Sequence, residues 1–185
     1  MRIVAGDARG RRLQALPGDD TRPTLERVKE GMFSAVQNWL PGAAVLDLYA
    51  GSGQLGLEAL SRGAARCVFV DEGARAVEII RANAETLGYT DRCRITRSSV
   101  ELFLARCDEK FDLILADPPY RQGAFPALLE PLAAVAAPGA IILCETEPGA
   151  DLPQQAAGLA LEKQYRYGTV AVSRYRKPEN EETTE

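Results

Sequence analysis

Residues 44–56 read Ala-Val-Leu-Asp-Leu-Tyr-Ala-Gly-Ser-Gly-Gln-Leu-Gly, and this stretch decides the fold. An apolar run typical of a buried strand leads directly into a glycine-rich turn that opens a helical pattern. A second apolar run ends at Asp71, 20 residues after Gly51. Glycines for a tight turn, with an acid for ribose hydroxyls, form the nucleotide-binding pattern in its required strand–turn–helix context. We therefore predict that Gly51, Gly53 and Asp71 bind a cofactor.

Asp47 discriminates between two classes of cofactor at this loop. It lies at the end of the first strand, just before the glycines. A carboxylate there repels a dinucleotide pyrophosphate but attracts the sulfonium and ammonium groups of S-adenosylmethionine. Asp117, further along the chain, would add a second carboxylate to the cofactor site. The sequence therefore favours S-adenosylmethionine over NAD. A second role for Asp47, a hydrogen bond to backbone N–H groups of the loop, is compatible with the first.

The stretch Asp117-Pro118-Pro119-Tyr120 follows another buried strand, residues 111–116. In open α/β sheets, ligands bind at the carboxyl ends of the strands, where this motif would lie. Prolines stiffen the loop and supply no N–H, so the Pro118 carbonyl can accept a hydrogen bond. Two acceptors, that carbonyl and the Asp117 carboxylate, would hold the N–H protons of an exocyclic amino group and localise its lone pair, while Tyr120 stacks on the base. We predict a catalytic role for Asp117, Pro118 and Tyr120.

Strand and helix patterns alternate along the rest of the chain. This alternation predicts right-handed βαβ units, a mostly parallel sheet and an α/β fold. An antiparallel hairpin about residues 167–168 closes the chain. A helix with a kink or break at Pro131 is expected over 124–136. The remaining expected helices span 24–40, 54–62, 74–87 and 100–107, and the expected strands span 44–49, 67–71, 93–96, 111–117, 140–145, 159–165 and 169–175.

The amino-acid composition limits the kinds of active site that the chain can form. The 185 residues carry a net charge of −4, four scattered cysteines and no histidine. A zinc site or a catalytic Ser-His or Cys-His pair is therefore not expected, and we predict an enzyme without a metal. No apolar run approaches the ~18 residues of a membrane span, and unpaired cysteines fit a cytoplasmic protein.

The charge is unevenly distributed. Residues 178–185 include four glutamates and no basic residue, which leaves the rest of the chain neutral. We predict three parts: an N-terminal basic β-hairpin arm (1–20), a catalytic domain (21–176) and a disordered acidic tail (177–185). A basic arm on a neutral body is compatible with RNA. The arginines expected to bind RNA are Arg9, Arg11, Arg12 and Arg22.

Several motifs together resemble a known family. Residues 45–53 with the Asp117 motif are similar to amino-group methyltransferases. Arg2-Ile3-Val4-Ala5-Gly6, Gly10-Arg11-Arg12-Leu13 and Thr21-Arg22-Pro23-Thr24 narrow the resemblance to the bacterial RsmD family, and Tyr165-Arg166-Tyr167-Gly168 extends it over nearly residues 1–176.

The resemblance implies a Rossmann-like, S-adenosylmethionine-dependent methyltransferase with a seven-stranded sheet, which methylates N2 of a guanine in 16S ribosomal RNA and leaves S-adenosylhomocysteine. It implies that Asp47, Gly51 and Gly53 line the methionine side of the cofactor site, that Asp71 holds the ribose, and that Asp117 and Tyr120 hold the base. The family usually has an aspartate that contacts adenine, where this chain has Ser99, and Ser98 could take that role. We expect a monomer that acts on ribosomal RNA, either alone or within a particle containing ribosomal proteins.

Other functions stay open from the residues alone. An adenine-N6 methyltransferase acting on RNA or DNA would use the same loop, although DNA enzymes usually carry a separate recognition domain. An NAD-dependent oxidoreductase is opposed by Asp47. A non-catalytic RNA-binding module would not need two carboxylates beside a glycine loop.

Overall fold

The computed structural model describes residues 1–16, 23–118 and 124–179. Side chains are described from residue 26 in the first helix and from residue 125 in the last. The helices are α1 (Pro23–Ser34), α2 (Gln54–Ser61), α3 (Ala74–Leu87), α4 (Val100–Leu104) and α5 (Ala124–Val135). The strands are β1 (Ala44–Leu48), β2 (Arg66–Asp71), β3 (Cys93–Arg97), β4 (Phe111–Ala116), β5 (Ala136–Thr146), β6 (Gln155–Ala156), β7 (Leu159–Tyr167) and β8 (Val170–Arg176).

One sheet organises these elements, in the order β3-β2-β1-β4-β5-β8-β7-β6. The first five strands in this order are parallel, and β8 runs antiparallel to its neighbours β5 and β7. The predicted Rossmann-like α/β class with an antiparallel C-terminal hairpin is confirmed.

The predicted number of strands, seven, is wrong, because the described residues form eight. The additional strand is β6, which has only two residues and pairs with the start of β7. Ala157 and Gly158 between them both have positive φ, 51° and 79°. Two successive positive φ values produce the tight turn that joins neighbouring antiparallel strands. Ala-Gly is a weak signal for such a turn.

Two apolar layers cover the sheet. On one face, Phe69, Leu113 and Val172 belong to a buried cluster that also includes residues of α1, α2, α3 and the N-terminal segment. On the other face, Ile114 and Tyr175 pack with residues of α4 and α5. Burial on both faces explains why the parallel strands have nearly continuous apolar sequences.

Residues 1–16, here called the N-terminal arm, pack directly on α2. Ile3 is fully buried, and an antiparallel bridge joins Arg2 to Arg12, as a hairpin requires. Glu58 of α2, also fully buried, accepts hydrogen bonds from the backbone N–H groups of Val4 (2.8 Å) and Ala5 (3.0 Å). The arm is therefore attached to the body through directional hydrogen bonds as well as apolar packing.

Two buried or partly buried cations complete the environment of Glu58. Lys29 Nζ lies 3.3 Å and Arg62 Nε 2.8 Å from its carboxylate oxygens. Lys29 also donates to the carbonyl of Arg2 at 2.7 Å. Desolvation lowers the pKa of Lys29, opposed by the Glu58 charge. Breaking such a buried cluster from one side leaves an uncompensated charge, so the cluster fixes α1, α2 and the arm relative to one another.

Some element boundaries differ from those predicted. The first helix ends at Ser34, not near residue 40, and a short 3-10 helix follows at Gln37–Trp39. The bond from Trp39 N–H to the Val36 carbonyl (2.9 Å) tightens this turn, and Arg174 donates to the Ala35 carbonyl at 3.0 Å. This cation satisfies a carbonyl at the helix end, and the tighter turn still buries Val36.

The last helix and the C-terminus also differ from expectation. The helix α5 continues through Pro131 and is not split, and β5 begins at Ala136, earlier than the predicted residue 140. The tail was predicted to begin at residue 177, yet Lys177 N–H donates to the Ala140 carbonyl and the Pro178 carbonyl accepts from Gly139 N–H. Residues 180–185 lie outside the described part of the chain. Among the helices described, none has the length and apolar character needed to cross a membrane.

Two glycines in the arm provide a matched test of its attachment. Gly6 (φ +88°) and Gly10 (φ +83°) both have left-handed backbone, but a Cβ at Gly6 would lie 1.8 Å from the Ser61 carbonyl oxygen, whereas a Cβ at Gly10 would meet nothing within 4 Å. We expect Gly10→Ala to lower the free energy of unfolding by about 1–2 kcal/mol through backbone strain alone. Gly6→Ala should cost more, because it also displaces the arm from α2. Urea unfolding measures both values, and equal costs would contradict this account of the contact.

Candidate active site

The carboxyl ends of the central strands bring the predicted catalytic and cofactor residues to one edge of the sheet. Leu48 of β1 pairs with Val70 of β2 on one side and with Ala116 of β4 on the other. Asp71 and Asp117 are the next residues of their strands, so both reach the edge beside the loop that follows β1. The sheet register therefore assembles the site from residues distant in sequence.

The glycine loop, residues 49–53, has a backbone that side chains would disturb. Gly51 and Gly53 have φ of 55° and 77°, and Gly53 N–H donates to the Ala50 carbonyl at 2.7 Å. A Cβ at Gly53 would lie 3.1 Å from Ile80 Cγ1. Glycine is thus required at residue 53 both for its backbone conformation and for its close packing on α3.

Asp71 accepts a backbone hydrogen bond at each carboxylate oxygen. Gly51 N–H donates to Oδ2 and Gly73 N–H donates to Oδ1, both at 2.8 Å. These contacts orient the carboxylate at the loop. Each oxygen has a further lone pair, so the predicted contact with ribose hydroxyls is chemically compatible with both hydrogen bonds.

Asp47 is almost completely buried, more so than an attraction for the cationic groups of the cofactor requires. It is 1% exposed, and its Oδ2 accepts from the N–H of Gly56 in the first turn of α2 at 2.8 Å. The tethering role considered from the sequence is therefore present. Burial raises the pKa of Asp47 to about 8, opposed by the Gly56 hydrogen bond and reinforced by the charges of Asp117 and Asp71. Three carboxylates thus lie close enough to interact, and together they favour a cationic ligand.

Ser99 lies at the N-cap of α4. Its Oγ accepts from Leu102 N–H at 3.2 Å, and the neighbouring Ser98 N–H donates to the Asp71 carbonyl at 3.1 Å. Both serines therefore follow β3 at the same edge as Asp71. A hydroxyl that caps a helix can still donate its hydrogen, so a contact between Ser99 and adenine stays a prediction.

The base-binding motif is described only in part. Asp117 is half-buried and Pro118 is buried, and the Asp117 charge raises the pKa of the buried Cys144 thiol, after the larger effect of desolvation. Tyr120 lies outside the described residues, and its stacking role stays a prediction.

The predicted RNA-binding arginines lie on the N-terminal arm, except one. Arg9 and Arg12 are exposed. Arg11 is also exposed but donates to the carbonyl of Thr86, near the end of α3, at 2.5 Å. Arg22 lies outside the described residues. The turn that carries these cations is also held by a hydrogen bond from the Tyr89 hydroxyl to Asp7.

Sequence patterns did not indicate an unusual residue at the start of the glycine loop. Tyr49 has φ of 56°, a left-handed conformation that is costly for an aromatic residue. Such strain tends to be kept where a functional loop requires it. Burial raises the pKa of Tyr49 to about 12, with a smaller contribution from Glu101. Its place two residues before Gly51 was the one available signal.

Two further features are separate from this edge. In the part of the chain that the structure describes, no group of three or more acidic, cysteine or histidine residues could hold a metal ion. A cavity of about 390 Å³ lies at the opposite edge of the sheet, where it is lined by Trp39, Asp112 and Gly139 among others. The Asp112 carboxylate there accepts from Ala44 N–H at 2.8 Å, a structural role.

Known proteins resemble this chain over almost its whole length. Residues 1–176 match the family described as "Conserved hypothetical protein 95". The "Putative rRNA methyltransferase YlbH" of Bacillus subtilis is 35% identical over 182 residues, covering 96% of this chain and 99% of the relative. The "Ribosomal RNA small subunit methyltransferase D" of Escherichia coli K12 is 32% identical over 179 residues, covering 96% and 90%.

A solved structure of similar sequence also shares the fold of this chain. The solved structure named "Putative methyltransferase yhhF from Escherichia coli" superposes with a TM-score of 0.86 at 32% identity, covering 97% of this chain and 99% of that one. The match includes the N-terminal arm as well as the sheet, so the whole described architecture is shared.

The buried carboxylate of Asp47 predicts a specific pH dependence of stability. Its pKa is about 8 in the fold against an ordinary 3.8, so between these values the folded protein binds a proton that the unfolded chain has lost. Its contribution to stability is therefore present at low pH and lost as pH rises towards 8. The side chain introduced by Asp47→Asn would keep an acceptor for Gly56 N–H without a charge. We expect this variant to exceed wild type by at least ~1 kcal/mol at pH 8, or ~2–4 °C in Tm, with a smaller difference near pH 4.

Thermal unfolding across pH measures this difference. Asp112→Asn is a matched control, because it neutralises an exposed carboxylate that also accepts one backbone N–H. A gain for Asp47→Asn that is the same at pH 4 and pH 8 would contradict the assignment.

Proposed function

We propose that this chain, which belongs to the RsmD family of ribosomal RNA methyltransferases, transfers a methyl group from S-adenosylmethionine to the exocyclic N2 amino group of a guanine in 16S ribosomal RNA. The observation that carries the proposal is the position of Asp117. It follows β4, directly beside the β1 strand that leads into the glycine loop. A group that holds an amino nitrogen is thereby next to a loop suited to a methyl donor.

The residues present fit S-adenosylmethionine. The cofactor would supply an electrophilic methyl carbon on a sulfonium centre. The glycine loop allows close approach of its backbone, and Asp71 would accept from ribose hydroxyls while keeping its two backbone hydrogen bonds. Burial raises the pKa of Asp47, and the charges of Asp117 and Asp71 raise it further. A bound cation would oppose the repulsion among these carboxylates. Binding of a cation should favour the ionised form of Asp47.

The target amino group needs activation, because its lone pair is delocalised into the base. The Asp117 carboxylate and the Pro118 carbonyl would accept its two N–H hydrogens and keep the lone pair on nitrogen. S-adenosylmethionine bound at the glycine loop would supply the methyl carbon and keep the electron pair of its carbon–sulfur bond on sulfur, while Asp117 and Pro118 hold the attacking nitrogen. The surplus proton leaves nitrogen through the hydrogen bond to Asp117 or to solvent. Tyr120 would hold the base by stacking.

The substrate must present its base out of the stack, because paired bases hide these atoms from a recessed loop. RNA loops and single strands do this at the lowest cost. Arg9, Arg11 and Arg12 of the arm, with Arg22, would bind phosphates and orient the RNA. The choice of guanine N2 over adenine N6 follows from the family and not from the chemistry of the loop. We expect a monomeric cytoplasmic enzyme that needs no metal.

A strain lacking the gene tests the function together with the role of Asp117. Nucleoside mass spectrometry should show the loss of one N2-methylguanosine from 16S ribosomal RNA, restored by wild type. Asp117→Ala should not restore it at comparable expression, because removing one preorganised transition-state hydrogen bond costs ~10²–10³ in kcat. Asp112→Ala removes a carboxylate from the opposite end of the same strand and should restore the modification.

Two results would contradict the proposal. Full methylation by Asp117→Ala would exclude the amino-group mechanism. An unchanged guanosine profile with a missing N6-methyladenosine would move the target to adenine.

The N-terminal arm makes a separate prediction about salt dependence. Each phosphate contact on RNA releases counterions, so each lost contact should reduce the slope of log K against log salt by ~0.7–0.9. Replacing Arg9, Arg11 and Arg12 together by Ala should therefore flatten the slope by about 2–3. The double variant Arg94→Ala, Arg106→Ala removes exposed cations from outside the arm and should leave the slope unchanged. An unaltered slope in the triple variant would exclude arm–phosphate contacts.

A further inference from the structure

We propose that Asn83 is a positioning residue that couples the N-terminal arm to the glycine loop, so that binding of RNA and binding of S-adenosylmethionine strengthen each other. The inference rests on the proposed function for its two ligands. It adds a link between them that neither the arginines of the arm nor the carboxylates of the loop provide.

The hydrogen bonds of Asn83 connect the arm to the loop through one side chain. Asn83 lies on α3, and it is 1% exposed. Its Oδ1 accepts from Gln14 N–H at 2.8 Å, and its Nδ2 donates to the Gln14 carbonyl and to the Ser52 carbonyl, both at 3.0 Å. One donor partner and two carbonyl partners determine which end of the amide is nitrogen. The Asn83 amide is therefore hydrogen-bonded to the arm and to the glycine loop at the same time.

The Ser52 carbonyl is a sensitive point of the loop. It lies between Gly51 and Gly53, whose backbones both have positive φ. Glycines offer little intrinsic resistance to rotation of the peptide groups around them. A hydrogen bond from a buried amide therefore fixes an orientation that the local sequence leaves free. Because Gly53 is the N-cap of α2, that orientation also determines how the loop enters the helix.

Two other contacts place the arm on the same loop. Leu16 Cδ1 would lie 3.7 Å from a Cβ at Gly51. Ser52 Oγ lies 3.7 Å from the sulfur of Met1. Both ends of the arm therefore contact the glycine loop. A shift of the arm would change the contacts of the loop.

Apart from Asn83 and these contacts of Met1 and Leu16, the arm is attached by residues that do not touch the loop. Glu58 and Ser61 hold it on α2, and Tyr89 holds Asp7 beyond the end of α3. Asn83 is thus distinguishable from the residues that merely attach the arm. If Gln14 moved away, the buried Asn83 amide would lose two of its three hydrogen bonds, which is costly in a water-poor site, and only the bond to the Ser52 carbonyl would still orient it.

Coupling follows from this shared amide. A cofactor that orders the loop also orders the amide of Asn83 and, through it, residue 14 of the arm. RNA that orders the arm has the reciprocal effect on the loop, because coupling between two binding equilibria is symmetric. The first ligand to bind orders both segments at a cost in conformational entropy. The second ligand then has less to order and binds more tightly.

A binding cycle measures the coupling. The affinity of a 16S ribosomal RNA transcript is determined with and without saturating S-adenosylhomocysteine, for wild type and for Asn83→Ala. For wild type, we expect S-adenosylhomocysteine to lower the Kd for RNA at least ~5-fold. This ratio of the two Kd values, here called the factor, should fall to about one in Asn83→Ala. In turnover, Asn83→Ala should raise KM for both substrates while kcat at saturation changes little, because Asn83 does not touch the reacting atoms.

Two controls separate coupling from loss of structure. Gln14→Ala keeps the backbone groups that Asn83 uses, so the factor should match wild type. Tyr89→Phe removes the hydroxyl that holds Asp7 and leaves the contact with the loop, so it should weaken RNA binding without abolishing the factor. Hydrogen exchange on wild type needs no variant: S-adenosylhomocysteine alone should slow exchange of the Gln14 amide, which donates to Asn83.

The outcomes distinguish this inference from the proposed function. If wild type binds S-adenosylhomocysteine and RNA but the factor is one, or if Asn83→Ala keeps the wild-type factor, the coupling is overturned and the function stands. Unchanged exchange of the Gln14 amide overturns the coupling even where Asn83→Ala does not fold. If wild type binds no S-adenosylhomocysteine, the proposed function fails and the coupling fails with it.

Discussion

The site depends on two carboxylates that accept hydrogen bonds from backbone N–H groups, one within the glycine loop and one in the helix that follows it. Asp71 accepts from Gly51, and Asp47 accepts from Gly56, both at 2.8 Å. The two acids belong to neighbouring strands, so the distance between them is set by the pairing of β1 with β2. A shift of one residue in that register would turn each side chain to the opposite face of the sheet. The loop geometry is therefore a consequence of sheet register as much as of its glycines.

Asp47 carries a cost that a purely structural role does not explain. Burial raises the pKa of Asp47 to about 8, which shows that the ionised form is disfavoured in the fold. A neutral side chain could tether Gly56 without this penalty. A buried carboxyl group retained beside a ligand loop at a cost in stability is the pattern expected where function and stability conflict. Its tethering and its attraction for a cation are compatible, because one oxygen holds the backbone and a bound cation would favour the ionised form.

Sequence reasoning succeeded where the pattern was local. The strand before the glycines, the acid 20 residues later and the Asp117 motif each follow from short stretches, and the alternation of strands and helices places them at one edge. Contacts between distant residues left no such signal: Asn83 meets Gln14 across 69 positions, and Glu58 meets Val4 across 54. Nothing in a lone asparagine on an amphipathic helix distinguishes a buried bridge from a solvated side chain. The left-handed turn at Ala157 also left little signal, because Ala-Gly is a weak turn pair and the strand before it has only two residues.

The buried charge cluster gives the arm a defined position that apolar packing alone would not. Ile3 and Leu13 bury well, but apolar contacts are non-directional and tolerate sliding. Glu58 accepts from two successive backbone N–H groups, and Lys29 donates to the Arg2 carbonyl, so the arm is held in one register on α2. A buried salt bridge is weak evidence of added stability, so we infer that this cluster serves to specify one arrangement of the arm. For this protein, that arrangement sets the distance from the exposed Arg9 and Arg12 to the glycine loop. Phosphates bound at the arm would then define where the neighbouring nucleotides reach the edge that carries Asp117.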